Sequence, residues 1–195
     1  MKRVCVFCGS SAGLRADYTH AAEALATAMT QRRLGLVYGG GNVGLMGKIA
    51  DAMLKAGGEV IGVIPQSLVA REVAHRGLTE LRVVDTMHQR KGLMNELSDA
   101  FIAMPGGFGT LEEFFEIVTW SQLGLHRKPS GLLNVSGYYD RLLGMLDHAV
   151  TERFVRPSHR SLVIADTDAD QLLQRLADFQ PVTDLKSTDA KGNFL

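Results

Sequence analysis

Residues 104–113 read Met-Pro-Gly-Gly-Phe-Gly-Thr-Leu-Glu-Glu, and their types and spacing suit chemistry beside an anion. Glycines at 106, 107 and 109 free the backbone and let a ligand approach without a Cβ in the way. A short apolar run, Ala100-Phe101-Ile102-Ala103, precedes them and reads as a buried parallel strand. Apolar residues at 111, 114, 115, 118 and 123 follow at helical spacing. The glycines therefore form a strand-to-helix turn, whose free N–H groups at the positive end of a helix suit a phosphate. Glu112 and Glu113 stand where that anion would sit. A fixed carboxylate beside a bound anion suggests a reaction on a phosphorylated substrate. A second reading stands beside it: Thr110-Leu111-Glu112-Glu113 also fits a capping box, with Thr110 as N-cap and Glu113 folding back onto it.

Two other glycine-rich turns leave predicted strands, at 9–13 and 39–44. Gly39-x-Gly41-x-x-Gly44 formally matches the dinucleotide fingerprint. That fingerprint belongs after the first strand, with an acid closing the next one. Here it follows the second strand, and the third ends at Ile64-Pro65. Gly39, Gly40 and Gly41, together with Gly9 and Ser10, are thus candidates for a phosphate or sugar loop and not for NAD. Lys48 is followed by Ile49, where a Walker A loop needs Ser or Thr for magnesium. The histidines at 20, 75, 88, 126, 148 and 159 show no metal spacing. Cys5 and Cys8 lie within the first strand and read as core, lacking the further ligands that zinc requires. Arg90-Lys91 sits among polar helical residues. Such a pair is by default a solvated face; the functional alternative is phosphate recognition by the guanidinium.

The elements that would position these groups alternate along the chain. Strands are predicted over 3–8, 34–38, 60–64, 81–84, 100–103, 132–135 and 161–165. Helices are predicted from about 17 to 29, over 45–55, from 85 or 86 to 97, and over 111–123, 138–152 and 169–179. Asp17 is the expected cap of the first helix, and Asp85 or Thr86 of the third. Regular alternation argues for an α/β fold, a parallel sheet of about six to seven strands with helices on both faces. Ligands in such folds sit off the carboxyl ends of the strands, where the winding reverses. All three glycine-rich turns leave such ends, so they are expected to meet at one crevice.

With 195 residues and 46% hydrophobic content, one domain over 1–180 and a polar tail over 181–195 are expected. Lys+Arg and Asp+Glu both number 21, so nucleic acid and anionic membrane are not expected partners. No apolar run nears the ~18 residues of a membrane span, and the expected location is the cytoplasm.

Residues 105–113, with Arg90-Lys91 and Gly39-Gly40-Gly41, resemble the LOG ("lonely guy") family of cytokinin riboside 5'-monophosphate phosphoribohydrolases, long mislabelled as lysine decarboxylases. The signature P-G-G-x-G-T-x-x-E is matched at every position, and the resemblance runs from Val4 to about Val155. It implies a Rossmann-like fold and hydrolysis of the N-glycosidic bond of a purine riboside 5'-monophosphate, giving free base and ribose 5-phosphate. By matching position it implies substrate contacts from Glu72, Arg90, Lys91, Gly106, Gly107, Phe108, Gly109, Thr110, Leu111, Glu112 and Thr119, with Arg90 and Glu113 as the catalytic pair. It also implies a homodimer with the site near the interface, and no metal or organic cofactor. The competing class is a non-catalytic Rossmann-like protein that holds a nucleotide or the molybdenum cofactor.

Overall fold

The computed structural model describes residues 1–69 and 74–181. Seven strands form one sheet: β1 (Arg3–Phe7), β2 (Gly35–Tyr38), β3 (Val60–Pro65), β4 (Glu80–Val84), β5 (Ala100–Ala103), β6 (Ser130–Leu133) and β7 (Val163–Asp166). Between them run α1 (Ala16–Gln31), α2 (Gly44–Lys55), α3 (Met87–Leu97), α4 (Phe108–Gln122), α5 (Asp140–Thr151) and the one-turn α6 (Pro157–Arg160), with α7 (Ala169–Ala177) closing the described chain. Every strand pairing is parallel, and the order across the sheet is β4-β3-β2-β1-β5-β6-β7.

Successive strand residues point to opposite faces, and both faces are covered. Val4 and Val6 of β1 join a core built with α1, α2 and α7. Cys5 and Phe7 join a second core with α3, α4 and α5. A strand buried on both sides has no use for a polar face, which explains the near-continuous apolar runs of the sequence.

Boundaries moved where tertiary contacts outweighed local pattern. β6 begins at Ser130 because Ser130-Gly131 pair with Phe101-Ile102 and with Val163-Ile164. Their smallness admits α7, since a Cβ on Gly131 would lie 2.8 Å from Leu172. α1 takes Arg15, not Asp17, as its N-cap residue. Asp17 instead pairs with Arg15 at 3.0 Å and accepts a hydrogen bond from Ser136 at 2.7 Å. Thr86 does cap α3, its hydroxyl accepting the Gln89 N–H at 3.1 Å. α6 was not anticipated, although Pro157 opens it at a position where a missing N–H does no harm.

The winding reverses at β1, which is bonded to β2 on one side and to β5 on the other. Phe7 and Ala103 are partners in register. The chain therefore leaves β1 and β5 side by side, and the segments Cys8-Gly9 and Met104-Pro105 open the crevice of a doubly wound sheet.

Candidate active site

The loops after β1 and β5 are tied together directly: the Gly9 N–H donates to the Pro105 carbonyl at 3.0 Å. The Leu45 N–H, in the first turn of α2, donates to the Gly9 carbonyl at 3.0 Å. All three glycine-rich turns thus meet, as the strand-end rule required. A cleft of about 320 Å³ lies between the turns after β1 and β5, its walls including Ser10, Tyr18, Gly106, Gly107 and Tyr138.

α4 begins at Phe108, earlier than the apolar spacing suggested, with Gly107 as its N-cap. The capping-box reading falls with that shift. Thr110 lies inside the helix, buried against the loop, and Glu113 belongs to the second turn. A Cβ on Gly106 would lie 2.1 Å from the Thr110 hydroxyl and 2.9 Å from the Gly9 nitrogen, so no side chain fits there. The first amide to find an acceptor in this turn is Leu111, which donates to Gly107 at 3.2 Å. The N–H groups of Gly106, Gly107, Phe108 and Gly109 have no protein acceptor among the described residues. Unpaired amides at a helix start favour an anion there. Phe108 points outward and is 94% exposed.

Arg90 overturns the solvated-face reading. It rises from the first turn of α3 and is 6% exposed. Its guanidinium lies directly over the end of β2, where a Cβ on Gly39 would meet Nη2 at 2.3 Å. Glycine at 39 therefore makes room for arginine. Glu113 faces the same nitrogen at 3.4 Å, with only 12% of its side chain exposed. The Nε of Arg90 is buried with no hydrogen-bond partner among the described residues. The Glu113 charge is felt at the end of β1: burial first, then this carboxylate, push the Cys8 thiol up. Cys5 and Cys8 are free, buried thiols, as the strand reading expected.

Lys91, next in α3, reaches across to α4 and contacts Glu112 at 2.6 Å and Glu116 at 3.0 Å. Burial pulls its ammonium down, but the two carboxylates outweigh it and hold it above the ordinary range. Glu112, Glu116 and Thr119 form one stripe along α4 at helical spacing. Thr119 stands about 16 Å up the helix axis from Phe108, so it does not line the glycine cleft; its hydroxyl donates to the Phe115 carbonyl at 2.7 Å. Leu111 turns inward and packs on the core beneath α4. Gly39, Gly40 and Gly41 are buried. Gly40 accepts the His75 N–H at 2.9 Å and Gly41 bridges to Ala74, so this turn is a floor for Arg90. Glu72 lies outside the described residues. Among the described residues no group of three or more His, Cys, Asp or Glu side chains is placed to hold a metal ion.

Residue-by-residue reading missed the far wall. Tyr138 donates its hydroxyl to the Gly106 carbonyl at 2.6 Å, and Tyr139 donates to Met104 at 2.7 Å. Both come from the segment after β6, more than thirty residues downstream, so no local spacing could reveal them. Glu116 was visible in principle, one turn beyond Glu112 on the same face.

A family model described as possible lysine decarboxylase matches residues 46–176. A rice protein (Oryza sativa subsp. japonica) named probable cytokinin riboside 5'-monophosphate phosphoribohydrolase LOGL9 is 52% identical over 181 residues, 93% of this chain and 80% of the relative. The chain belongs to the LOG family. Another relative, cytokinin riboside 5'-monophosphate phosphoribohydrolase LOG1 of Arabidopsis thaliana, is 51% identical over 180 residues, 92% of this chain and 84% of its own. Among solved structures, the molybdenum cofactor carrier protein of Chlamydomonas reinhardtii superposes with a TM-score of 0.68 at 19% identity, covering 91% of this LOG chain and 99% of the carrier. The molybdenum cofactor binding protein of the phototrophic bacterium Rippkaea orientalis gives 0.67 at 21% identity, covering 91% and 97%. At such identities the likeness is one of fold.

Proposed function

We propose that this protein hydrolyses the N-glycosidic bond of purine riboside 5'-monophosphates, adenosine or cytokinin type, releasing free base and ribose 5-phosphate. The observation that carries the reading is the near-buried Arg90–Glu113 pair at 3.4 Å, set one to two turns up α4 from its unpaired amides. The 5'-phosphate rests on the amides from Gly106 to Gly109, and its binding energy positions the ribose. Glu113 takes a proton from the attacking water, or stabilises the positive charge that develops at the sugar. Water bonds to C1', the C1'–N9 bond breaks, and its electron pair leaves with the base, which takes up a proton. Arg90 fixes the orientation of Glu113 and of the sugar phosphate. Lys91 is held towards the same side by Glu112 and Glu116. No organic cofactor or metal enters these steps. We further read Glu72 and Thr119 as substrate contacts, and the assembly as a homodimer that closes the site; the outward Phe108 supports a covered rim.

The test is direct. The protein is incubated with AMP and, in parallel, with isopentenyladenosine monophosphate, and free base is separated and quantified. Release of base from either supports the reading, and the ratio of the two kcat/KM values assigns the substrate. Intact nucleotide in both, with measurable binding, would leave a nucleotide holder.

A further inference from the structure

We propose that Tyr138 is a positioning residue for the phosphate end of the substrate, acting through the peptide that joins Gly106 to Gly107. The proposal rests on the reading of that loop as a phosphate cradle. Three successive carbonyls of the loop have partners. Met104 accepts from the Tyr139 hydroxyl at 2.7 Å, Pro105 from the Gly9 N–H at 3.0 Å, and Gly106 from the Tyr138 hydroxyl at 2.6 Å. No peptide in the described chain is cis. In a trans peptide the carbonyl and the following N–H point in opposite directions, so each tied carbonyl fixes the donor after it. Pro105 has no N–H. The donors so fixed are therefore those of Gly106 and Gly107, and the tie from Leu111 to Gly107 fixes that of Phe108 in the same way. These are three of the amides that lack an acceptor among the described residues.

Tyr138 differs from the other two ties. The Gly9 tie joins backbone to backbone, and Tyr139 is buried in the core. Tyr138 is 42% exposed and forms a wall of the cleft itself. Its ring is placed independently of its hydroxyl, edge-on to Tyr18 at 5.9 Å and to Tyr139 at 4.9 Å. The backbone around it is held too: Asn134 accepts the Tyr139 N–H at 2.7 Å and donates to Asp140 at 2.7 Å. Replacing Tyr138 by Phe thus removes one hydrogen bond and leaves the wall in place. The Gly106–Gly107 peptide then loses its preset orientation, and the ligand's phosphate must order it.

The experiment compares wild type with Tyr138→Phe in three measurements: AMP hydrolysis, inhibition of that reaction by its two products, and calorimetric binding of ribose 5-phosphate. The expected result is a rise of about fivefold, the size of one net hydrogen bond, in KM for AMP and in Ki and Kd for ribose 5-phosphate. The expected kcat, Ki for adenine and Tm stay within twofold or a degree or so of wild type. Unchanged ribose 5-phosphate affinity overturns the proposal. An equal loss for adenine, or a fall in Tm that accompanies it, shows a general structural role and also overturns it. If wild type leaves AMP intact, the hydrolase reading fails, while calorimetry with ribose 5-phosphate still decides on Tyr138.

Discussion

Replacing Glu113 by Gln removes one charge from a pair that is almost out of water. The separation is 3.4 Å, and 7% and 12% of the Arg90 and Glu113 side chains are exposed. At an effective dielectric of about 20 the attraction is about 5 kcal/mol, partly offset by the desolvation of both ions. Deleting one partner of such a pair leaves an uncompensated charge, and a net loss of about 3 kcal/mol is expected. In a chain of this size that is a fall in Tm of about 6–12 °C. Loss of a general base or charge stabiliser should lower kcat for AMP by about 10²–10⁴ at 25 °C, where the variant is still folded. The double variant Arg90→Gln/Glu113→Gln separates the two effects. It removes both charges, so stability should recover to within about 1 kcal/mol of wild type, while activity should not return. Thermal unfolding followed by circular dichroism gives the first quantity, and chromatographic assay of adenine the second. Wild-type turnover by Glu113→Gln, or recovery of activity together with stability in the double variant, would refute the catalytic assignment and leave a structural ion pair.

Three further outcomes are expected. Gly106→Ala forces a methyl to within 2.1 Å of the Thr110 hydroxyl, so stability should fall by about 1–3 kcal/mol and ribose 5-phosphate binding, read by calorimetry, should be lost; unchanged binding would show that the loop yields freely. Burial and then Glu113 raise the Cys8 thiol, and burial chiefly raises Cys5, so neither should react with a disulfide reagent at pH 8 until the chain is unfolded; rapid reaction of the native protein would contradict the packed end of β1. The hydrogen bond from Arg3 holds the Glu59 carboxyl below its ordinary range. A depressed carboxyl contributes stability above its unfolded pKa, about 4.3, and loses it as pH falls through the folded value. The Tm advantage of wild type over Glu59→Gln should therefore shrink below about pH 4, and an advantage that grows there would reverse the sign.

Much of the architecture was readable because it rests on long apolar runs. β1, β2, β3 and β5 are buried on both faces, and their residues show it without context. The meeting of the three glycine turns was readable too, because strand direction alone sends them to one end of the sheet. What escaped depended on partners distant in sequence. Thr110 looks like a cap because its neighbours satisfy a local pattern; Gly106 draws it inside the helix instead. Arg90 looks like a surface residue because α3 is polar, and only the bare backbone at Gly39 shows why a guanidinium can be buried there. The hydroxyls of Tyr138 and Tyr139 act across 32 and 35 residues, a separation at which side-chain spacing carries no information.

The reversal at β1 has a consequence for biosynthesis. Of the seven strands β1 is the first to be made, yet its partner on one side is β2 and on the other β5, which begins at Ala100. Until that later strand arrives, a growing chain that has paired β1 through β4 carries an open apolar edge along Val4, Cys5, Val6 and Phe7. Such an edge invites pairing with another nascent copy. Truncations that stop short of Ala100 should accordingly clump, and adding β5 only moves the open apolar edge to Phe101, Ile102 and Ala103 until β6 arrives.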